Sequence, residues 1–228
     1  MRPSAKTVVF DLDGTLTDSE AGIVASYRHA LDSWGIKADT QAIRPWIGPP
    51  LRDGFLALGV PRAELDEAIG RYRDFFSTEG ILENRLYSGI TPMLTSLSEA
   101  GVVLALATSK LDEYARSILH DLSIAHFFVV VAGSTRDGTR LDKHQILEHA
   151  LEALGGADPS TVVMVGDREH DVRAALECGV RPIGVTWGYG TVTELRLAGA
   201  DCVVGSPDEL TSLLLKSSWS SRPSATGS

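Results

Sequence analysis

The sequence predicts an α/β protein: a doubly wound parallel sheet with an inserted small α-helical domain. Short apolar runs, typical of strands that are buried on both faces, alternate with segments of helical periodicity along most of the chain. Between the first and second apolar runs, residues 20–86 show helical patterns only. A stretch of that length is too long for a simple crossover, so it predicts a separate helical insertion.

Six apolar runs are predicted to be the parallel strands: residues 8–10, 102–107, 128–131, 162–165, 183–185 and 202–204. The helical patterns that follow them or lie between them span residues 92–100, 112–122, 143–154, 172–178, 192–198 and 207–215. This alternation implies βαβ crossovers, with helices on both faces of one sheet. In such sheets ligands bind beyond the carboxyl ends of the strands.

The inserted stretch is predicted to be a cap domain over residues 18–88, with helices at 21–34, 51–58 and 63–78. Residues 1–17 and 89–215 then form the α/β core domain, with hinges near 17–20 and 86–90. A cap in this place could close over the strand ends and exclude water; the alternative is a helical decoration that does not move. Residues 216–228 are polar and rich in turn formers, which predicts a disordered tail.

Composition narrows the class of protein. The 228 residues carry a net charge of -9, so no basic surplus exists to neutralise nucleic acid. No apolar run approaches the length of a membrane span. The first strand begins within a few residues of Met1, which leaves no room for a signal peptide. We therefore expect a cytoplasmic enzyme whose Cys178 and Cys202 are reduced. Nothing in the sequence indicates an oligomeric state.

The first strand stops on two carboxylates, Asp11 and Asp13, and Gly14 follows at once. Alternation places both carboxylates on the same side of an extended chain. Two like charges at the end of a buried strand are costly unless positive charge compensates them. A magnesium ion and a cation that binds phosphate would provide that charge. A plain acidic turn, favoured by Gly14 and Thr15, is the alternative.

Two further strand ends carry groups that suit an anion. Thr108 follows the second apolar run and, with Ser109 and Lys110, is predicted to open a helix whose free N–H groups bind an anion. Lys143 lies in the first turn of the helix predicted at 143–154, against the helix dipole. Such a lysine is favoured when an anion is nearby. Arg136 and Arg140 are alternatives for the same role.

A fourth strand end predicts a metal site. Asp167 directly follows the run at 162–165, and Asp171 lies one helical turn further on, so both carboxylates can face one point. Oxygen ligands in this arrangement suit a hard cation such as Mg²⁺. His170 lies between them and is expected to point elsewhere, as a surface or packing residue.

Taken in chain order, DLDGTL, Thr108, Lys143 and GDREHD resemble the haloacid dehalogenase (HAD) superfamily. The resemblance extends over roughly residues 7–204, and all four motifs in order at strand ends are highly specific. The position of the helical cap is similar to that of the phosphoglycolate phosphatase-like branch. The segments IGPPL, DGTRLDK, MVGDREHDV and GVTWGYG resemble a subgroup often labelled phosphoglycolate phosphatase or 5′-nucleotidase.

The resemblance implies a metal-dependent phosphatase. Asp11 would be the nucleophile and form an aspartyl phosphate. Asp13 would protonate the leaving oxygen and then accept a proton from the hydrolytic water. The Asp11 carboxylate, the Asp13 backbone carbonyl and Asp167 would hold Mg²⁺, and Asp171 would support the ion or its waters.

The resemblance also implies how the phosphoryl group is bound. Thr108 and Lys143 would contact its oxygens, helped by the N–H groups around Leu12, Gly14 and Ser109. Catalysis would then consist of positioning and charge neutralisation, as phosphoryl transfer requires.

Other activities within the superfamily are distinguished by residues that this chain keeps or lacks. Members that cleave carbon–halogen bonds lack the second aspartate, which this chain keeps. Phosphonate-cleaving members use a lysine of the cap, and Lys37 is the only lysine of residues 18–88. Sugar phosphomutases hold a second phosphate with basic cap residues. Here GPPLR places Leu51 near the expected arginine, and Arg52 or Arg44 could substitute.

The predicted function is therefore a magnesium-dependent phosphatase for a small phosphomonoester, of the phosphoglycolate or nucleotide type. A phosphotransferase or phosphomutase, or an activity directed at protein phosphotyrosine, are alternatives on the same site. A catalytically idle binding protein is the alternative from another class. Arg52 is expected to bind substrate, and the segment 47–52 with Arg44 and Trp46 is expected to set specificity, although Trp46 also suits packing inside the cap.

Overall fold

The computed structural model describes residues 7–216. The strands are β1 (Thr7–Phe10), β2 (Thr17–Asp18), β3 (Arg85–Leu86), β4 (Val103–Leu111), β5 (Val130–Ser134), β6 (Val162–Gly166), β7 (Arg181–Val185) and β8 (Cys202–Val204). Six of them form one parallel sheet in the order β5-β4-β1-β6-β7-β8. The predicted α/β architecture is confirmed, although β5 begins two residues later than its apolar run.

The central position of β1 determines where the site lies. β1 pairs with β4 on one side and β6 on the other, with Phe10 opposite Leu106 and Val165. The carboxyl ends of these three strands therefore meet at one place, which we call the carboxyl edge of the sheet. Val8, Val9 and Phe10 are fully buried, and burial of each such side chain contributes about 1.5–3 kcal/mol.

Helices cover both faces of the sheet. They are α1 (Glu20–Leu31), α2 (Thr40–Ile43), α3 (Leu51–Ala57), α4 (Leu65–Thr78), α5 (Ile90–Glu99), α6 (Asp112–Asp121), α7 (Lys143–Ala153), α8 (Glu169–Glu177), α9 (Val192–Ala198) and α10 (Pro207–Leu215). Val8 and Phe10 belong to one apolar cluster with α5, α6 and α10, whereas Val9 belongs to another with α7 and α8. Successive side chains of β1 thus pack against helices on opposite faces of the sheet, as in a doubly wound fold. None of the helices between residues 7 and 216 has the length and apolar character to cross a membrane.

The helices α1–α4 lie between β2 and β3, and we call residues 19–84 the helical insert. β2 and β3 pair antiparallel, with Thr17 opposite Leu86, so the chain leaves and re-enters the core at one place. Strands of two residues show no periodicity, which is why the sequence pattern predicts neither of them. The division into a core of 1–17 and 89–215 and a cap of 18–88 stays a prediction. Most of the predicted tail, residues 217–228, lies outside the described residues.

Aromatic side chains form the centre of the helical insert. Tyr27 on α1 packs against Phe55 on α3 and Tyr72 on α4, with ring centroids 4.8 and 5.1 Å away. Phe76, one turn further along α4, stacks on Tyr72 at 5.8 Å and contacts Tyr114 of α6 at 5.3 Å. The insert therefore packs on the core through α4, next to the carboxyl edge of the sheet.

One prediction about local structure is wrong. β4 does not end at residue 107, and Thr108 does not open a helix: the strand continues to Leu111 through an irregularity after Ala107, and α6 begins at Asp112. The apolar run stops at Ala107 because polar residues follow. Pairing with β5 carries the backbone further in extended form. Thr108 and Lys110 are therefore strand residues.

Candidate active site

A cavity of about 720 Å³ lies between the carboxyl edge of the sheet and the helical insert. The predicted site residues that line it from the core are Asp11, Asp13, Thr108, Ser109, Lys143 and Asp171. From the insert it is lined by α3 and α4 and by the segment 46–50 that precedes α3. Polar groups of the core and side chains of the insert thus face the same space.

Lys143 lies between two carboxylates. Its Nζ donates to Asp11 Oδ1 at 2.5 Å and is 2.7 Å from Asp171 Oδ1. Burial by itself would lower the pKa of Lys143, but the charges of Asp11 and Asp171 raise it above its ordinary value. This arrangement explains a buried lysine in the first turn of α7, where the helix dipole disfavours a cation. The anions that compensate it include carboxylates of the protein itself.

Three carboxylates converge at the carboxyl edge of the sheet. Oxygen atoms of Asp11, Asp167 and Asp171 lie within 4.8 Å of one another. Burial, followed by the charges of Asp171 and Asp11, raises the pKa of Asp167 to about 8. Burial also raises the pKa of Asp11 to about 7, although Lys143 acts in the opposite direction. Three carboxylates and one lysine leave an excess of negative charge, which a divalent cation with oxygen ligands would offset.

The orientation of Asp167 is determined by groups that surround it. Its Oδ1 accepts a hydrogen bond from Thr15 Oγ1 at 3.2 Å, and its Oδ2 accepts one from the Tyr189 N–H at 2.7 Å. Trp187 Nε1 donates to the Thr15 carbonyl at 2.9 Å, so the segment 187–190 supports both partners. Held in this way, Asp167 keeps one direction toward the cluster, as metal ligands usually do.

Gly14 and Gly188 allow this close packing. Gly14 has a positive φ of 84°, and a Cβ there would lie 2.4 Å from Asp167 Oδ2. A Cβ on Gly188 would lie 2.1 Å from the Gly14 carbonyl oxygen. The N–H of Gly14 donates to the Thr17 carbonyl at 2.8 Å. This N–H, predicted to bind the phosphoryl group, is therefore engaged in its own turn, and the glycine is required by the approach of Asp167.

Asp13 has a different partner from the other carboxylates. Its Oδ2 is 3.0 Å from Lys110 Nζ, and both side chains are buried. The side chain of Asp13 is not part of the three-carboxylate cluster, which leaves its backbone carbonyl as the predicted metal ligand. The sequence pattern does not identify Lys110 as a site residue, because it is assigned there to the start of a helix. Its spacing of two from Thr108, once β4 is seen to continue, is the signal that would have found it.

Three further residues of the core, about which the sequence makes predictions, lie at or near the cavity. Thr108 is buried and its Oγ1 accepts a hydrogen bond from the Lys110 N–H at 3.3 Å. Leu12 is fully buried in the apolar core, so only its backbone could serve a ligand. His170 lines the cavity and is half-buried, and this burial lowers its pKa. His170 is not a member of the group of three carboxylates, and the expectation that it is a surface or packing residue stays a prediction.

The two arginines weighed against Lys143 serve other contacts. Arg140 Nε donates to the Gly133 carbonyl at 2.7 Å. Arg136 lines the cavity, but its guanidinium pairs with Glu113. Of these three cations, Lys143 is the one that contacts the buried carboxylates of Asp11 and Asp171.

On the insert side, the predicted residues differ in position. Arg52 lines the cavity and pairs with Asp66 at the surface. Arg44 is directed to Glu20, 3.5 Å away, and is absent from the described lining of the cavity. Lys37 is exposed and pairs with Asp32, so nothing supports a Schiff-base role for it.

Known proteins resemble this chain over most of its length. The family described as haloacid dehalogenase-like hydrolase matches residues 8–185. A Mycobacterium tuberculosis protein named tyrosine-protein kinase PtkA is 45% identical over 82% of this chain, which spans only 64% of the length of that relative. A 5′-nucleotidase of Pseudomonas aeruginosa is 40% identical over a region that covers 83% of this chain and 86% of the length of that relative. The crystal structure of a predicted phosphatase from Clostridium acetobutylicum superposes with a TM-score of 0.89 at 38% identity, covering 92% and 98% of the two chains. The chain therefore belongs to the haloacid dehalogenase-like hydrolase family.

Proposed function

We propose that the protein is a magnesium-dependent phosphatase that hydrolyses a small phosphomonoester through an aspartyl phosphate. The observation that carries the proposal is the buried group at the carboxyl edge of the sheet, in which Lys143 bridges Asp11 and Asp171 beside Asp167. Family membership and the name of the Pseudomonas relative support it.

The reaction would proceed in two steps. A carboxylate oxygen of Asp11 attacks phosphorus, the bond to the leaving oxygen breaks, and Asp13 gives that oxygen a proton. Water then attacks the phosphorus of the aspartyl phosphate, Asp13 accepts its proton, and the bond to Asp11 breaks to release inorganic phosphate. Lys143 and Thr108, with the N–H groups of Leu12 and Ser109, would bind the phosphoryl oxygens in both steps.

The donor set fits Mg²⁺. Carboxylates of Asp11 and Asp167 and the carbonyl of Asp13 would hold the ion, and Asp171 would support it or its waters. When bound, the ion would neutralise charge on the phosphoryl oxygens and on the carboxylates. Charge balance favours this role, because Lys143 alone cannot compensate three carboxylates.

The substrate we propose is a small phosphomonoester of the phosphoglycolate or nucleotide type. A cavity of about 720 Å³ falls within the usual range for small-molecule sites, roughly 300–1,000 Å³. Arg52 and the segment 47–51, on the insert side, would contact the part of the substrate that is not phosphate. Nucleic acid is not expected as a partner, and a cytoplasmic location is part of the same proposal.

A second candidate is transfer of the phosphoryl group to a tyrosine hydroxyl of a protein. The 45% identity to a protein named as a tyrosine kinase favours it. The hydroxyl would take the place of water in the second step, with Asp13 accepting its proton. Transfer to a sugar hydroxyl, as in a mutase, would use the same residues.

The test measures inorganic phosphate released from p-nitrophenyl phosphate. We expect turnover with Mg²⁺, loss of turnover with EDTA, and loss in Asp11→Asn, while Asp32→Asn at the surface serves as the matched control. Turnover that persists in a folded Asp11→Asn protein contradicts the proposal. Incubation with labelled ATP and a tyrosine-containing peptide tests the second candidate: label in the peptide favours transfer, and label in free phosphate alone favours hydrolysis.

A further inference from the structure

Lys110, at the end of β4, contacts both a carboxylate of the core and an aromatic ring of the helical insert. Lys110 Nζ is 3.0 Å from Asp13 Oδ2, with side chains only 6% and 10% exposed. The same Nζ lies 4.3 Å from the centroid of the Phe76 ring on α4. Lys110 is thus held between a carboxylate of the core and an aromatic ring of the insert.

This lysine has a narrow set of partners. Within residues 7–216, Asp13 is the one carboxylate within 4.0 Å of Lys110 Nζ. A buried ammonium is stabilised by charged and aromatic partners, and the Phe76 ring is a second partner of Lys110 beside Asp13. The pair is separate from Lys143, whose Nζ contacts Asp11 and Asp171.

The two oxygens of Asp13 have different environments. Oδ2 is occupied by Lys110, whereas Oδ1 is buried and has no hydrogen-bond partner among the described residues. Asp13 also lines the cavity. One oxygen is therefore fixed in place, and the other is left to exchange a proton with a reacting group.

We propose that Lys110 is a positioning residue that orients Asp13 for proton transfer, and that Phe76 makes this orientation depend on the seating of the insert. The proposal rests on the proposed function, in which Asp13 protonates the leaving oxygen. Without the ion pair, the carboxylate can rotate away from the leaving group, and small errors of position reduce proton transfer strongly. When α4 packs on the end of β4, Phe76 holds Lys110 in place, and Lys110 in turn holds Asp13 in the orientation needed for proton transfer.

The experiment compares two esters that differ in their need for an acid. p-Nitrophenyl phosphate has a leaving group that departs without protonation, whereas the alkoxide of glycerol 2-phosphate requires it. The measured quantity is kcat/KM, because it reports the first phosphoryl transfer and is independent of the later hydrolysis. The variants are Lys110→Met, Lys110→Arg and Asp13→Asn, the Asp13→Asn/Lys110→Met double variant, and Lys37→Met as a control on an exposed lysine.

We expect Lys110→Met to lower kcat/KM for glycerol 2-phosphate by about 10–100-fold and that for p-nitrophenyl phosphate by less than about threefold. Lys110→Arg should recover part of the loss, because it restores the charge but not the shape. In the Asp13→Asn background, Lys110→Met should cause no further loss of kcat/KM, since the effects of residues that act through one another are not additive. A further variant, Phe76→Leu, should also lower kcat/KM for glycerol 2-phosphate more than for p-nitrophenyl phosphate, but by a smaller factor than Lys110→Met.

Other outcomes overturn the proposal. Equal losses for both esters mean that Lys110 binds the phosphoryl group itself or only stabilises the fold. Additive losses in the double variant mean that it does not act through Asp13. Turnover by the wild-type protein is read first and separately: its absence with both esters counts against the proposed phosphatase, and the same variants are then compared in the peptide-transfer assay, where Asp13 would accept the proton of the tyrosine hydroxyl.

Discussion

The carboxyl edge of the sheet and the helical insert are held by different kinds of interaction. At the edge, Lys143 pairs with Asp11 and Asp171, and all three side chains are less than 10% exposed. On the insert, Arg52 and Asp66 pair with side chains that are 51% and 88% exposed. Buried pairs have one geometry, whereas exposed pairs are screened and contribute little. Under the proposed function, the edge would therefore carry out the chemistry and the insert would select the substrate.

The largest effect is expected from removal of the proposed nucleophile, Asp11. We expect Asp11→Asn to lower kcat on the order of 10⁴-fold or more for every ester, because the proposed mechanism assigns the covalent intermediate to Asp11. Circular dichroism establishes that the variant is folded, and initial rates of phosphate release measure the loss. A loss confined to some esters would place Asp11 among the residues that select substrate.

The next effect concerns metal binding at the edge. We expect Asp167→Asn to raise the Mg²⁺ concentration for half-maximal activity by about 10–100-fold, since an amide oxygen carries no charge. Asp201→Asn provides a comparison at an aspartate remote from the cluster. An unchanged Mg²⁺ dependence would remove Asp167 from the ligand set.

The excess of negative charge at the edge predicts a pH dependence of stability. In the metal-free protein, burial followed by the charges of Asp171 and Asp11 raises the pKa of Asp167 to about 8. The folded state then binds more protons than the unfolded state between about pH 4 and pH 8, so the free energy of unfolding falls as pH rises through this window. Under the proposed function, Mg²⁺ would bind the ionised carboxylates and reverse this loss of stability.

Thermal unfolding with and without Mg²⁺ measures this dependence. Saturating Mg²⁺ should raise Tm by roughly 5–10 °C at pH 8 and by much less at pH 5. Asp167→Asn should reduce the difference between the two pH values. A Mg²⁺ effect that is equal at both pH values would contradict the charge argument.

Two glycines differ in how closely they are packed, one at the carboxyl edge of the sheet and one on the insert. Gly188→Ala places a Cβ 2.1 Å from a backbone oxygen at the edge, and we expect it to destabilise the protein by about 1–3 kcal/mol. Gly70→Ala on α4 meets no atom within 4 Å and should stabilise it by about 0.5–1 kcal/mol. Urea unfolding of both variants tests the pair, and equal effects would show that the edge is no tighter than the insert.

The smallest effect is expected on the surface of the insert. Arg52→Met should change KM for a preferred ester by at most about fivefold, because interactions of exposed charges are worth 0–1 kcal/mol, and kcat should stay the same. Kinetics with a panel of phosphate esters measure it. A large fall in kcat would move Arg52 from substrate selection into the chemistry.

Local pattern was sufficient for much of the core. The apolar run before Asp11 and the one before Asp167 predict buried strands, and both observed strands match closely. The alternation of strands and helices predicts the doubly wound sheet, because each element displays its own periodicity. The prediction that Thr108 begins a helix is wrong, since a polar strand end has no periodic signal and its extended form depends on pairing of β4 with β5.

The residue types at the strand ends can be identified from the chain alone, because apolar runs and the charges after them are neighbours in the sequence. Which of these charges pair depends on the fold: Lys143 pairs with Asp11, 132 residues away, and Lys110 pairs with Asp13. The fold also brings the segment 187–190 into contact with Asp167. These contacts depend on the order of the strands in the sheet and on how the insert packs against the core. Neither can be predicted from local periodicity in the sequence.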